Sequence, residues 1–382
     1  MTEYIKNDFS KDIILGKLSD VFVFEDGTRV KTEEDWRRRR QEIIDTAVEL
    51  EFGGMPPIPE RFELETMQLR GGIHSYRIHI YEGQHHFTFP MQIYVPKESF
   101  DKTKKYPILL CGDGCYVYCN DEVVKEAHKR GWLVAKFNRV ELAHDMYNTS
   151  RDTGIYPIWP EKKFSSISAW AWGYHRCMDA LEKIPYADET EVAITGHSRG
   201  GKTILLAGAT DERIKYINPN NSGAHGCGCW RYLQKNPGGP KYDDRSEELI
   251  NMFRPVPYWF GPDMAKYCER DGEIPHDQHF FKALCAPRYF IETEAYEDVW
   301  GNPRGSWQTY LAAREVYKFL GVEERIVAHY RDGGHDHNVK AFCTLMDFCD
   351  MMREGKELPE EYTRDPFPGM EKIFDWTAPE RE

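Results

Sequence analysis

No stretch of the 382-residue chain holds the roughly 20 consecutive apolar residues of a membrane-spanning helix, so the membrane is not expected as a partner. The opening residues MTEYIKNDFSKDIILG lack the apolar centre of a secretory signal. Positive charge is in deficit. Fifty Lys and Arg stand against 63 Asp and Glu, a net charge of −13, which argues against nucleic acid or an anionic surface as partner. The one basic run, Arg37-Arg38-Arg39-Arg40, lies among acids in TEEDWRRRRQEIIDTAVELEFG and reads as a solvated helix face. Paired C-x-x-C spacing is also missing. The ten cysteines are scattered, and Cys227-Gly228-Cys229 is too tight for an unstrained disulfide, so no metal site is assigned. Without an export signal, these read as free thiols in a reducing, cytoplasmic setting. No internal repeat occurs, and no linker is long enough to separate a second domain from the first. One domain, 1–382, is expected.

What the chain does hold is a change of grammar along its length. Residues 1–60 read as a helical extension and linker: a helix from Thr32 to Phe52, with Thr32 as N-cap and Gly53-Gly54 as its stop, then the proline-rich GGMPPIPERF. FELETMQL, HSYRIHIYEG and HFTFPMQIYVP follow as three antiparallel strands. From Tyr106 onward, short apolar strands (YPILLC, WLVAKF, EVAIT, IKYINPNN, PRYFIET, RIVAHYR) alternate with helical stretches. That alternation specifies a parallel sheet covered on both faces. Antiparallel strands entering a mostly parallel α/β sheet are the plan of the α/β-hydrolase fold. Residues 223–287 break the rhythm with a segment rich in Gly, Pro and aromatics, read as an insertion that walls a pocket. Aromatics make up 14% of the chain; most serve the core, but stacking on sugar rings is a use for the surplus.

The chemistry centres on VAITGHSRGGKTILL. G-x-S-x-G carries mechanism where a strand precedes it and a helix follows, and both conditions hold around Ser198. The glycines at 196 and 200 admit a cramped turn that exposes the serine Oγ, and the start of the next helix aims its amides at the same spot. A plain turn serine would look the same in five residues but would not need the partners that follow. In this fold the order is nucleophile, acid, base. His335, in YRDGGHDHN after the last strand, is the candidate base, with His337 its competitor; His225 and His279 are alternatives as pocket residues. PRYFIETEAYEDVWGNP offers Glu292, Glu294, Glu297 and Asp298 as the acid, Asp298 first and Glu297 second. Arg199 is placed to support the oxyanion, and Lys202 one turn along the same helical face. Long cations at a helix N-terminus run against its dipole, which favours a functional reason for them. A second oxyanion amide is expected from GDGCY, around Asp113 to Tyr116.

Together these residues resemble the glucuronoyl esterases among carbohydrate esterases. GHSRGGK resembles that family's G-x-S-R-x-G-K motif, SAWAWGYHRCMDAL its helix before the nucleophile strand, and GGHDHN its histidine loop. VPYWFGPDMAKYCERDGEIPHDQHFFKALCAPRYFIETEAYEDVWGNPRGSW is similar to the stretch with pocket wall and late acid. The resemblance runs from about Trp36 to the last helix. It implies a cofactor-free serine esterase for uronic acid esters, with Ser198 as nucleophile, Arg199 at the oxyanion, Lys202 on uronate hydroxyls and Trp300 on the sugar. Fungal members carry a glutamate in a Gln-Glu-Ser-Gly setting, where this chain has Asn220-Asn221-Ser222-Gly223. Asn221 cannot serve as the acid, so the resemblance points to the later loop and Asp298. An acetyl or hydroxycinnamoyl sugar esterase, and a silent binding module of the same fold, are the competing expectations.

Overall fold

The computed structural model describes residues 8–146, 151–237, 239 and 244–381. The first seven residues of the extension, and 238 and 240–243 of the insertion, lie outside them. In chain order the strands are β1 (Ile13–Ile14), β2 (Arg61–Arg70), β3 (Ile73–Glu82), β4 (His85–Tyr94), β5 (Tyr106–Cys111) and β6 (Leu133–Phe137). They continue with β7 (Ala187–His197), β8 (Tyr216–Asn220), β9 (Tyr232–Leu233), β10 (Tyr289–Ala295) and β11 (Ile326–Arg331). Nine of them form one sheet in the order β11-β10-β8-β7-β5-β6-β4-β3-β2. Pairing is parallel from β11 through β6 and antiparallel from β6 to β2. This is the expected α/β-hydrolase architecture.

Side-chain alternation explains why both faces must be covered. In β5, Ile108 and Leu110 join the larger core, whereas Leu109 and Cys111 join a second one on the opposite face. The larger core is closed by helices Ser166–Leu181 and Arg199–Thr210, the second by Asp121–Lys129 and Val339–Arg353. Helix Ser166–Leu181 is buried at every position except Asp179, as its SISAWAWGYH composition demands. In β3 and β4, by contrast, buried and open positions alternate, the signature of strands wet on one face.

The N-terminal helix begins at Glu33 with a capping box: Thr32 accepts from the Asp35 amide, and Asp35 accepts from the Thr32 amide. It runs through a π-helical stretch, Ile44–Val48, to Phe52, and Gly53 ends it at φ 71°. The extension does not stand apart from the body. β1 pairs antiparallel with β9 of the insertion, and Glu51 of the last helical turn is wholly buried against His225, His276 and Gln278. Two-residue strands carry no periodicity, so this pairing was invisible in the sequence.

Candidate active site

Ser198 sits at φ 56°, ψ −121°, between the end of β7 and helix Arg199–Thr210. For a non-glycine residue this backbone conformation costs on the order of 1–3 kcal/mol and persists only where its surroundings over-determine it. Here they do. The Ser198 amide donates to the Asn220 carbonyl at 3.0 Å, and the His197 amide donates to Asp113 Oδ2 at 3.1 Å. A methyl group at Gly196 would lie 2.7 Å from the Gly200 carbonyl oxygen, and one at Gly200 would lie 2.6 Å from the Asp113 carboxylate. The two motif glycines therefore serve close approach of turn and helix. Asp113 is itself fixed by Arg139, whose Nε donates at 2.8 Å from a wholly buried position stacked over Trp170.

That geometry narrows the expectation for GDGCY. The Gly114 amide donates to the Phe137 carbonyl and the Tyr116 amide to the Asp113 carbonyl, so neither is open to an oxyanion. The loop's visible role is to carry the carboxylate that braces the serine turn. The Arg199 amide, at the first position of its helix, has no intrahelical acceptor and is the backbone donor next along from the serine.

His335 lies over this turn, its ring 4.3 Å from that of His197, the residue before the serine. Its Nδ1 donates to Asp298 Oδ2 at 2.8 Å. Asp298 is buried, and the same oxygen accepts from Asn221 Nδ2 at 2.8 Å while Oδ1 accepts from the Gly301 amide at 3.3 Å. Burial alone would raise the Asp298 pKa, but the hydrogen bond and charge of His335, helped by Asn221, hold it below the ordinary carboxylate value. The reciprocal effect lifts His335: burial lowers its pKa, yet the bond to Asp298 and that carboxylate's charge outweigh it. No hydrogen bond joins Ser198 Oγ to the ring among the described residues. Such contacts often tighten only with substrate bound.

The competitors separate cleanly. His337 is buried, stacks on Phe342 at 4.0 Å, and neither of its ring nitrogens has a partner. Burial holds it neutral, well below the ordinary imidazole value. The Glu297 amide donates to Gly333, but it is the Asp298 carboxylate that reaches His335. His225 and His279 do not line a pocket: both are wholly buried, bonded to Glu51 and to the Ser19 carbonyl respectively. Glu292 pairs with Lys282 inside the core, and Glu294 is pushed well up by burial and its acidic neighbours.

The two cations differ from one another. Lys202 is buried, and its ammonium donates to the Ser222 carbonyl at 2.7 Å, to the Ala224 carbonyl, and to Glu247 Oε2 at 3.0 Å. Three donors meet three acceptors, so it meets anything in the cleft through Glu247 and not as a free charge. The Glu247 amide in turn donates to the Trp300 carbonyl at 3.0 Å, which brings half-buried Trp300 beside this pair. Arg199 donates through Nη1 to Asp145 Oδ2 at 2.8 Å and lies 4.9 Å over the Trp259 ring. Its side chain stays 37% exposed, leaving most of the guanidinium fork open.

Known proteins share sequence and fold with this chain. The family model for glucuronyl esterases of fungi matches residues 78–321, a span that holds Ser198, Asp298 and Trp300. The chain belongs to the glucuronyl esterase family. A 4-O-methyl-glucuronoyl methylesterase of Schizophyllum commune is 29% identical over 324 residues, 84% of this chain and 77% of that protein. One from Phanerochaete chrysosporium is 27% identical over 324 residues, and there the match spans only 65% of the relative's length. Among solved structures, a carbohydrate esterase family 15 glucuronoyl esterase from Caldicellulosiruptor kristjansonii superposes with a TM-score of 0.80 at 28% identity, covering 93% of this chain and 97% of that one. This glucuronyl esterase family member thus keeps the fold over nearly its full described length.

Four residues of the site escaped the sequence reading. Asn221, Asp145, Glu247 and Arg139 act by contacts 77, 54, 45 and 26 residues distant. Only Asn221 had a signal, its position beside the serine strand's neighbour β8.

Proposed function

We propose that this chain is a serine esterase that hydrolyses 4-O-methyl-glucuronoyl esters, the substrate class its fungal relatives are named for. The observation that carries this is the Asp298–His335 hydrogen bond held over the strained Ser198 turn. In this reading Ser198 Oγ attacks the ester carbonyl while His335 Nε2 takes its proton. Asp298 fixes the imidazole tautomer and stabilises the imidazolium. The Arg199 guanidinium and its backbone amide receive the tetrahedral oxyanion. The alcohol leaves with the proton from His335, and water, activated by the same ring, releases the uronic acid. Trp300 offers a ring face to the sugar, and Glu247, charged partner of Lys202, accepts from its hydroxyls. Glucuronoyl groups on xylan fit this chemistry.

Ser198→Ala is expected to abolish turnover of methyl and benzyl glucuronate while leaving the thermal transition in place. Retained turnover would falsify the nucleophile. Run beside acetylated xylo-oligosaccharides and p-nitrophenyl acetate, the same assay distinguishes the uronate reading from an acetyl esterase. Cleavage of acetates alone would end it.

A further inference from the structure

Glu51 enters from the N-terminal helix, far in sequence from the serine turn, yet it begins an unbroken series of contacts that ends on Arg199. Its Oε1 lies 2.7 Å from His225 Nδ1 and accepts from Gln278 Nε2 at 2.8 Å, and its Oε2 lies 2.6 Å from His276 Nε2. All four side chains are buried. The His225 ring is sandwiched between Phe52 at 4.4 Å and Phe260 at 4.2 Å, on a backbone at φ 64°. Its other nitrogen, Nε2, lies 3.1 Å from the Trp259 carbonyl. A carbonyl oxygen only accepts, so Nε2 carries a proton. Glu51 faces Nδ1 with a carboxylate that stays ionised: burial would raise its pKa, but hydrogen bonds and charge from His225 and His276 bring it to about 2.

From Trp259 the series continues to the cleft. Trp259 Nε1 donates to Asp145 Oδ1 at 3.1 Å, and Tyr258 OH donates to the same oxygen at 3.0 Å. Asp145 Oδ2 accepts from Arg199 Nη1 at 2.8 Å, and the guanidinium rests on the Trp259 ring. A long, half-open arginine on a helix's first residue has several rotamers available. Its orientation is set by one carboxylate and one indole face, and both are set by the Tyr258-Trp259 segment.

We infer that His225, oriented by Glu51, is a positioning residue for the esterase reaction: its Nε2–H pins the Trp259 carbonyl so that Trp259 and Asp145 hold the Arg199 guanidinium at the oxyanion. This rests on the proposed oxyanion role of Arg199. It gives the N-terminal helix a role in the chemistry without touching substrate. Because an oxyanion donor acts on charge that exists only in the transition state, misplacing it lowers kcat and leaves KM nearly unchanged.

The test is a double-mutant cycle between His225→Phe and Arg199→Lys, with active enzyme counted by fluorophosphonate titration and kcat measured on methyl glucuronate. His225→Phe keeps a ring between Phe52 and Phe260 but removes the N–H. It is expected to lower kcat about tenfold in the parent and less than about twofold in the Arg199→Lys background, with KM little changed in both. Equal factors in the two backgrounds would mean that His225 is structural only, and the inference would fall while the Arg199 role stood. Parent-level kcat for Arg199→Lys alone would remove the oxyanion role and the inference with it. Should His225→Phe not fold, Glu51→Gln carries the cycle instead, since it leaves the His225 ring in place and removes the carboxylate charge that orients it.

Discussion

Asp298 Oδ2 accepts two hydrogen bonds at once, from His335 and from Asn221, and the first of them raises the pKa of the base. The imidazole must be neutral to take a proton from Ser198. Its folded-state pKa lies above the ordinary imidazole value, raised against burial by the bond and charge of Asp298. Activity is therefore lost as pH falls through a value above about 6.5. In Asp298→Asn the raising influence is gone and burial remains, so the acid limb of kcat/KM is expected to move to lower pH. The amide also presents a donor where an acceptor is needed, and kcat should drop by roughly 10³–10⁴-fold. A pH–rate profile of the variant on methyl glucuronate reads both effects, and an acid limb that stays put would sink the assignment of Asp298. Chain order made the serine and the two loops legible, since the fold fixes which loop brings which group, but it left His337 beside His335 and Glu297 beside Asp298 as alternatives. Asn221 was not legible. It was read only as a residue unable to be the acid, because hydrogen bonding to a side chain 77 residues away leaves no local pattern.

At the scale of elements, the strand–turn–helix from Ala187 to Thr210 shows the same division. Strand and helix were readable because a β-rich run, a glycine-framed serine and a small-residue helix follow without interruption. The reason for the second glycine was not, since it lies in Asp113 of another loop. Gly200→Ala would bring a methyl carbon to 2.6 Å from the Asp113 carboxylate, which cannot retreat freely because Arg139 and the His197 amide hold it. Overpacking of this kind costs about 1–3 kcal/mol, and any relief comes from moving the serine turn. The variant is expected to melt lower and to react far more slowly with a fluorophosphonate, at least about 100-fold for a nucleophile displaced by an ångström. Labelling at the parent rate would show that the turn does not need the close approach. The π-helical stretch at Ile44–Val48 and the β1–β9 pair were equally hidden: neither has a sequence period of its own.

Over the whole molecule, the outline of nine strands and flanking helices was present in the alternation of apolar runs, but the fate of the fourteen histidines was not, because burial is a property of the assembled layers. Several are sealed in as neutral rings. Burial takes His175, His197 and His279 each down to about 4. The sign of the consequence follows from proton counts. Between about pH 4 and the unfolded value near 6.5, the unfolded chain binds a proton at each of these rings and the folded protein does not. Stability therefore rises with pH across that window and is surrendered as pH falls through it, the reverse of an imidazole raised by a partner such as His335. The melting temperature is expected to decline steadily from pH 6.5 to 4, driven by the protons that these three rings, and His337 with them, take up on unfolding. His175 provides the control, since its ring lies away from the cleft and meets the Ala207 carbonyl and Thr210. His175→Gln keeps an amide donor for that carbonyl and deletes one titrating group, so its melting curve should flatten over the same interval while its glucuronate turnover matches the parent. A slope unchanged from the parent would show that acid sensitivity originates elsewhere, in carboxylates such as Glu51 that protonate only at far lower pH.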